Sequence, residues 1–338
     1  MSCMVNTGHM SSLITSFRPG EVWPDTSGHP INAHGGGILH HRGAFYWYGE
    51  CRPEGPASLN ALIGVSCYRS TDLLNWENLG VALPVVHGDD RHPLAAGCKI
   101  ERPKVLYNSA TAKFVMWWHH DLKGAGHLNA LAGIAVSDTP AGPFTFLEVL
   151  KPGWRMARDC TLFQDDDGRA YFIYATDDNA NLCIHLLADD YLRPTDIAIT
   201  IFPGRFMEAP CVFKHEGRYY FIGSDCTGWL PNEARSASAP CIWGPWKELG
   251  NPGLGEGADT TWGAQSTFVF PVPGRPGAFV FMADRWVPEA LHNSRYVWLP
   301  LFFKKAPAGF LRPHFRWHDC WDTGVFDLPG VCPPVPAR

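Results

Sequence analysis

Three acids stand at the same kind of place in the chain: Glu101 before Arg-Pro, Asp159 between Arg158 and the run CTLF, and Glu208 before Ala-Pro. An acid at the head of a mostly apolar strand costs free energy unless something uses it. Taken singly, each also has a structural reading as a carboxylate bridged to an arginine. Drawn together, such acids push their pKa values apart, because neighbouring charges disfavour joint ionisation and burial raises them further. That leaves a neutral acid beside an ionised partner, the condition for protonating a glycosidic oxygen. Two other polar groups, His34 and Gln265, head runs of the same type.

The elements that must carry these groups are legible as hairpins. Residues 205–229, RFMEAPCVFKHEGRYYFIGSDCTGW, run from Glu208 through an apolar strand, a His-Glu-Gly turn and an aromatic strand. The alternation and the turn glycine predict a β-hairpin. The same grammar recurs at 32–50, 101–120, 159–176 and 265–285, with starts roughly 50–70 residues apart, a spacing akin to but longer than that of propeller blades. Residues 68–80, 135–148 and 234–250 each add a strand, a turn and an outer strand. Residues 129–137 also read as a strand, and helical periodicity is otherwise nearly absent. The prediction is an all-β chain, a five-bladed β-propeller whose first strands line a central axis. His34, Glu101, Asp159, Glu208 and Gln265 would converge at one end of that axis. The propeller spans 21–326, after an N-terminal extension (1–20) and before a Pro-rich tail (327–338).

The 338 residues, 46% hydrophobic, suffice for one sizeable core. Aromatic residues make up 13%, including 14 Trp, and most of these rings are expected to pack blades. A net charge of -5 without a basic run argues against a nucleic-acid partner. No apolar run approaches the length of a membrane span. The first 20 residues lack the pattern of a signal peptide, so the expected location is the cytoplasm, with a secreted or periplasmic location the alternative if a leader has been removed. The 11 cysteines contain no CxxC pair and read as reduced, mostly buried thiols.

Three other features carry bland readings. Gly35 to Gly37 precede a strand rather than a helix, with no Lys-Ser/Thr, so they point to close backbone approach rather than a phosphate cradle. The pairs His40-His41 and His119-His120 cannot chelate through both rings, since adjacent strand residues face opposite ways. Asp165 to Gly168 lack the spaced acids of a calcium loop and read as a hairpin turn.

Over essentially its full length the chain resembles the glycoside hydrolases of family 43, which are five-bladed β-propellers. The carrying motifs are AHGGGIL and YWYGE (33–50), ERPKVLYN (101–108), RDCTLFQDDDGRAYFIY (158–174), EAPCVFK (208–214), QSTFVF (265–270), ADRW (283–286) and SRYVWLPL (294–301). They are most similar to the branch of exo-β-1,3-galactanases and galactosidases, and next to one with arabinofuranosidase and galactofuranosidase activities.

The resemblance implies that Glu208 is the general acid and that Asp159 tunes its pKa and holds the sugar. The family's usual base, an Asp in an Asp-Pro pair at the start of the first blade, is replaced here by His34-Gly35-Gly36. The galactanase-like branch shares that departure. There a Gln matching Gln265 holds the attacking water, and a Glu matching Glu101 lies near the reacting sugar. Gln265, Glu101 and His34 all stay open as the group that handles the water's proton. Inversion of configuration is implied, with acid and water-holding group roughly 6.5–9.5 Å apart. The expected sugar contacts are His34, Glu50, Arg102, Trp118, Thr227 and Trp229, with Tyr48 a further candidate. No cofactor is required, no metal ligand set stands out, and a calcium or sodium ion in the central channel is compatible with the wider family. The expected activity is inverting, exo-acting release of terminal galactose from β-1,3-galactan or arabinogalactan side chains. α-L-Arabinofuranosidase or β-xylosidase action on pentose side chains is the alternative within enzymes, and a non-catalytic carbohydrate-binding propeller the alternative outside them.

Overall fold

The computed structural model describes residues 13–55, 59–305 and 309–327, so most of the Pro-rich tail and the first part of the N-terminal extension lie outside the described residues. Five sheets follow one another along the chain. Blade I holds β1 (His34–His41), β2 (Ala44–Cys51), β3 (Gly64–Ser70) and β4 (Glu77–Pro84), and blade II holds β5 (Lys99–Asn108), β6 (Lys113–Asp121), β7 (Leu131–Ser137) and β8 (Thr145–Leu150). Blade III holds β9 (Cys160–Gln164), β10 (Ala170–Thr176), β11 (Asn181–Leu187) and β12 (Pro194–Ile201). Blade IV holds β13 (Met207–His215), β14 (Arg218–Asp225), β15 (Arg235–Ala239) and β16 (Lys247–Gly250). Blade V holds β17 (Gly253–Leu254), β18 (Gln265–Pro271), β19 (Phe279–Arg285), β20 (Arg295–Lys305) and β21 (Leu311–Arg316).

The inner strands β1, β5, β9, β13 and β18 each touch the next, and β18 returns to β1. This is the predicted five-bladed propeller. Its middle strands are buried on both faces, as in AYFIYAT of β10, whereas the outer strands β4, β8, β12 and β16 carry most of the exposed positions. That gradient is why the sequence reads as aromatic runs in mid-blade and mixed residues at the rim. The fifth blade departs from the expected four strands, because β17 adds a short parallel partner to β21.

The ring is closed between blades I and V. Phe17 pairs with Trp321 through backbone hydrogen bonds of 2.7 and 3.1 Å, and its buried ring stacks on Trp321 at 4.1 Å. Trp47 and Trp76 of blade I and Tyr296 and Trp298 of blade V complete this cluster. The nine described cysteines are free thiols.

A local device recurs where the inner strands begin. Register shifts fall between His34 and Gly37, Glu101 and Lys104, Glu208 and Cys211, and Ser266 and Phe268. In the first three the residue after the polar group is left-handed: Gly35 (φ 58°), Arg102 (φ 57°) and Ala209 (φ 53°). Such bulges re-aim side chains at the head of a strand, at a cost in backbone strain. Glycine is required in β1, where a Cβ on Gly36 would run into the Tyr48 carbonyl and one on Gly37 would meet Lys104.

Candidate active site

The heads of the inner strands surround a cavity of about 250 Å3 lined by Glu50, Glu101, Arg102, Asp159, Glu208, Gln265 and rings including Trp229 and Trp286. Arg102 organises it. The bulge in β5 turns the guanidinium inward, where Nη2 lies 3.1 Å from Asp159 Oδ2 and donates to Gln265 Oε1 (2.5 Å), while Nη1 donates to the Ser266 carbonyl (3.0 Å). Burial disfavours its charge, but Asp159, Glu50 and Asp284 more than compensate, so it stays a cation. The Arg102 backbone N–H donates to Glu50 Oε1 (2.9 Å), and Arg52 holds the other Glu50 oxygen.

Glu208 is partly buried at the head of β13. Burial first, and the nearby Asp159 charge second, push its carboxyl up to about 7. It accepts from Gln265 Nε2 (2.9 Å) and from Asn179 Nδ2 (3.3 Å). Asp159 also accepts from the Ala209 N–H (3.0 Å), so the bulge in β13 ties the two acids together. The Gln265 amide orientation is fixed by two partners that can only donate: its Oε1 accepts from Arg102 and from Trp286 Nε1 (3.1 Å), which leaves Nε2 to donate to Glu208 and to Ser224 Oγ (3.0 Å).

Glu101 is held differently. Its Oε2 lies 3.0 Å from His119 Nδ1 and its Oε1 lies 3.4 Å from His127 Nε2. His119 continues through Nε2 to Asp121 Oδ2 at 2.8 Å, and Asp121 accepts the N–H groups of Asn129 and Ala130. Burial would neutralise both Glu101 and His119, but the pair overrides it: Glu101 is pulled well below the usual range, and His119 is raised to about 9 by Asp121 and Glu101. The result is an ionised carboxylate backed by an imidazolium.

Glu101, His119 and Asp159 also bring one possible ligand atom each within 4.8 Å of one another. This set does not fit a bare cation. Both His119 nitrogens face carboxylates, and Asp159 already faces Arg102, so the positive charge a metal would supply is built in. Lys104 adds another among the inner strands: its buried Nζ donates to the Gly35 carbonyl (2.9 Å), and burial lowers its pKa to about 8.

Glu50, Glu101, Arg102, Asp159, Glu208, Trp229 and Gln265 therefore line one pocket, while four expected contacts do not. Trp118 is fully buried between blades I and II, where its Nε1 donates to His120 Nδ1 (3.1 Å). Tyr48 lies in the same core. Thr227 spends its hydroxyl on the turn, donating to the Leu230 carbonyl (2.5 Å). His34 is wholly buried beside the pocket, stacked 5.3 Å from Tyr296, and burial holds its pKa down to about 3. It is neutral and out of reach of a sugar. Trp286, His127, Arg52 and Asn179 were not singled out from the sequence. Only Trp286 left a signal, as the aromatic residue closing the ADRW run at the end of β19.

Comparison with known proteins agrees with this fold. The family described as glycosyl hydrolases family 43 matches residues 34–262. A solved family 43 β-1,3-galactosidase with galactodeoxynojirimycin is 44% identical, with a TM-score of 0.85, over 90% of this chain and 100% of its own. An exo-β-1,3-galactanase from Clostridium thermocellum is 38% identical (TM-score 0.80), covering 90% of this chain and 66% of its own. One from Phanerochaete chrysosporium with galactose is 35% identical (TM-score 0.79), covering 91% and 68%. No curated protein sequence matches. With the family match spanning most of the propeller and the acid pair in its central pocket, the chain belongs to glycoside hydrolase family 43.

Proposed function

We propose that this hydrolase is inverting and exo-acting and releases terminal galactose from β-1,3-galactan or arabinogalactan side chains. The observation that carries the reading is Glu208, a carboxyl raised to about 7 by burial and by Asp159. A large share of it is protonated at neutral pH, matched to giving a proton to the departing glycosidic oxygen. The cavity, about 250 Å3, is below the ~300–1,000 Å3 of typical ligand pockets. That size suits one terminal ring better than a length of chain. The kinship with galactosidases and galactanases supports galactose as that ring.

On the water side the hydrogen bonds favour Glu101 over Gln265. Gln265 Oε1 already accepts from Arg102 and Trp286, which uses both lone pairs of an amide oxygen. A carboxylate offers about four acceptor sites, and Glu101 spends only part of that capacity on His119 and His127. In this mechanism Glu101 accepts the water's hydrogen bond and its proton as the water attacks. Gln265 links Arg102 to Glu208 and keeps the acid in line. Glu50 and Arg102 bind sugar hydroxyls, and Trp229 and Trp286 wall the pocket. The chemistry moves protons between side chains and needs no cofactor.

Glu208→Gln keeps the shape and removes the proton. Hydrolysis of β-1,3-galactobiose should fall by about 100-fold or more, whereas an aryl β-galactoside with an activated leaving group should lose far less. Equal retention of both rates would take the acid role away from Glu208.

A further inference from the structure

A second and larger cavity, about 760 Å3, lies at the rim of blade V, lined by Trp262, Trp317, Arg285, Arg316 and Glu256 among others. Its lining adjoins that of the catalytic pocket along the chain. β19 ends at Arg285, next to the pocket residue Trp286, and the turn after β17 runs through Trp262 to the pocket residue Gln265. A further recess extends from the pocket toward the groove. It shares Trp229, Gln265 and Trp286 with the pocket and reaches Gly263, the neighbour of Trp262.

The groove is built rather than incidental. Thr261 (φ 50°) and Trp262 (φ 53°) are consecutive left-handed residues without a glycine, a strained conformation that persists only where its surroundings enforce it. The enforcement is visible: the Trp262 N–H donates to the Gly257 carbonyl (2.8 Å), and the Trp262 carbonyl accepts from Arg285 Nε (3.1 Å) and Nη2 (2.7 Å). The half-buried indoles of Trp262 and Trp317 stand 6.2 Å apart at 37°, with the Arg285 guanidinium 5.4 Å from the Trp317 ring centre. Glu256 and Arg316 are exposed at the rim.

Indole faces with a carboxylate and guanidinium groups around them are the complement of a sugar, which offers C–H faces flanked by hydroxyls. Galactose suits such a platform, because its axial fourth hydroxyl leaves one continuous C–H face. We propose that this groove is a second saccharide-binding site that holds the galactan chain several units downstream of the terminal galactose in the pocket. The inference rests on the galactan reading of the pocket. It makes the enzyme selective for chain length, since a short oligosaccharide fills the pocket without reaching Trp317.

The test measures binding to the full chain carrying Glu208→Gln, with β-1,3-galactan and with β-1,3-galactotriose as probes. Adding Trp317→Ala should weaken the polymer by about 10-fold, the loss of roughly 1.4 kcal/mol, and leave the trisaccharide within about 2-fold. Glu256→Ala, at an exposed position that does not endanger folding, should shift the polymer in the same direction by a smaller factor. Saturating galactose should displace the trisaccharide but leave residual polymer binding. The groove assignment is overturned if neither variant changes polymer affinity or if both probes weaken alike. Release of galactose from the trisaccharide by the unsubstituted enzyme tests the pocket separately, so the two readings fail independently.

Discussion

Asp159 acts on Glu208 chiefly by charge, and the pH profile isolates that action. Glu208 works in its protonated form, so activity is present below its pKa and lost as pH rises through about 7. Asp159→Asn removes an anion that raises this pKa and leaves the Arg102 cation, which lowers it, without that partner. The alkaline limb of kcat/KM should move to lower pH, and an unmoved limb would mean that another group titrates. The water side separates by rescue. Glu101→Ala and Gln265→Ala should each depress turnover by about 100-fold, the first by losing a base and the second by losing alignment. Formate or azide should restore rate only to Glu101→Ala, and recovery in Gln265→Ala instead would return the base role to the amide. The three acids were legible because a carboxylate at the head of an apolar strand is too costly to keep without a partner or a substrate. His34 and Trp118 were misread because alternation gives two faces without saying which one meets solvent, and the bulge after His34 upsets it further.

At the scale of the element, four of the five inner strands carry a register shift at their heads, and the shifts turn polar groups toward the axis. Gly36→Ala tests how little room the arrangement leaves. Its Cβ would run into the Tyr48 carbonyl, with Trp47 Nε1 at 2.9 Å. Backbone cannot retreat as a flexible side chain can, so the variant should lose about 1–3 kcal/mol, read as a lower denaturant midpoint with an unchanged slope. A midpoint equal to that of the parent would mean that β1 is not confined as described. The hairpins were legible in the sequence from their period and turn glycines. The bulges were not, since a one-residue slip leaves no compositional trace except the glycine at position 35. The His119 relay was hidden for a related reason: Asp121 lies two residues along the same strand, but Glu101 lies on β5, and only the pairing of β5 with β6 sets it opposite His119.

At the scale of the molecule, closure of the ring depends on residues far apart in sequence. Phe17 stacks on Trp321 and packs near Trp23 and Trp298, so Phe17→Ala should cost about 3–5 kcal/mol and lower Tm in calorimetry. An unchanged Tm would show that blades I and V hold without it. The five repeated units made the number of blades legible. The Phe17 latch and the short strand β17 were not, because each is a single pairing outside the repeat. In the proposed mechanism the assembly presents one acid to one terminal sugar and admits water from the opposite side, which would fix the stereochemistry of the product. The most direct measurement is proton NMR of β-1,3-galactotriose in the first minutes of hydrolysis, before mutarotation. Free galactose should appear first as the α-anomer together with the β-1,3-linked disaccharide, whereas initial β-galactose, or release of no galactose, would contradict an inverting exo-acting galactan hydrolase.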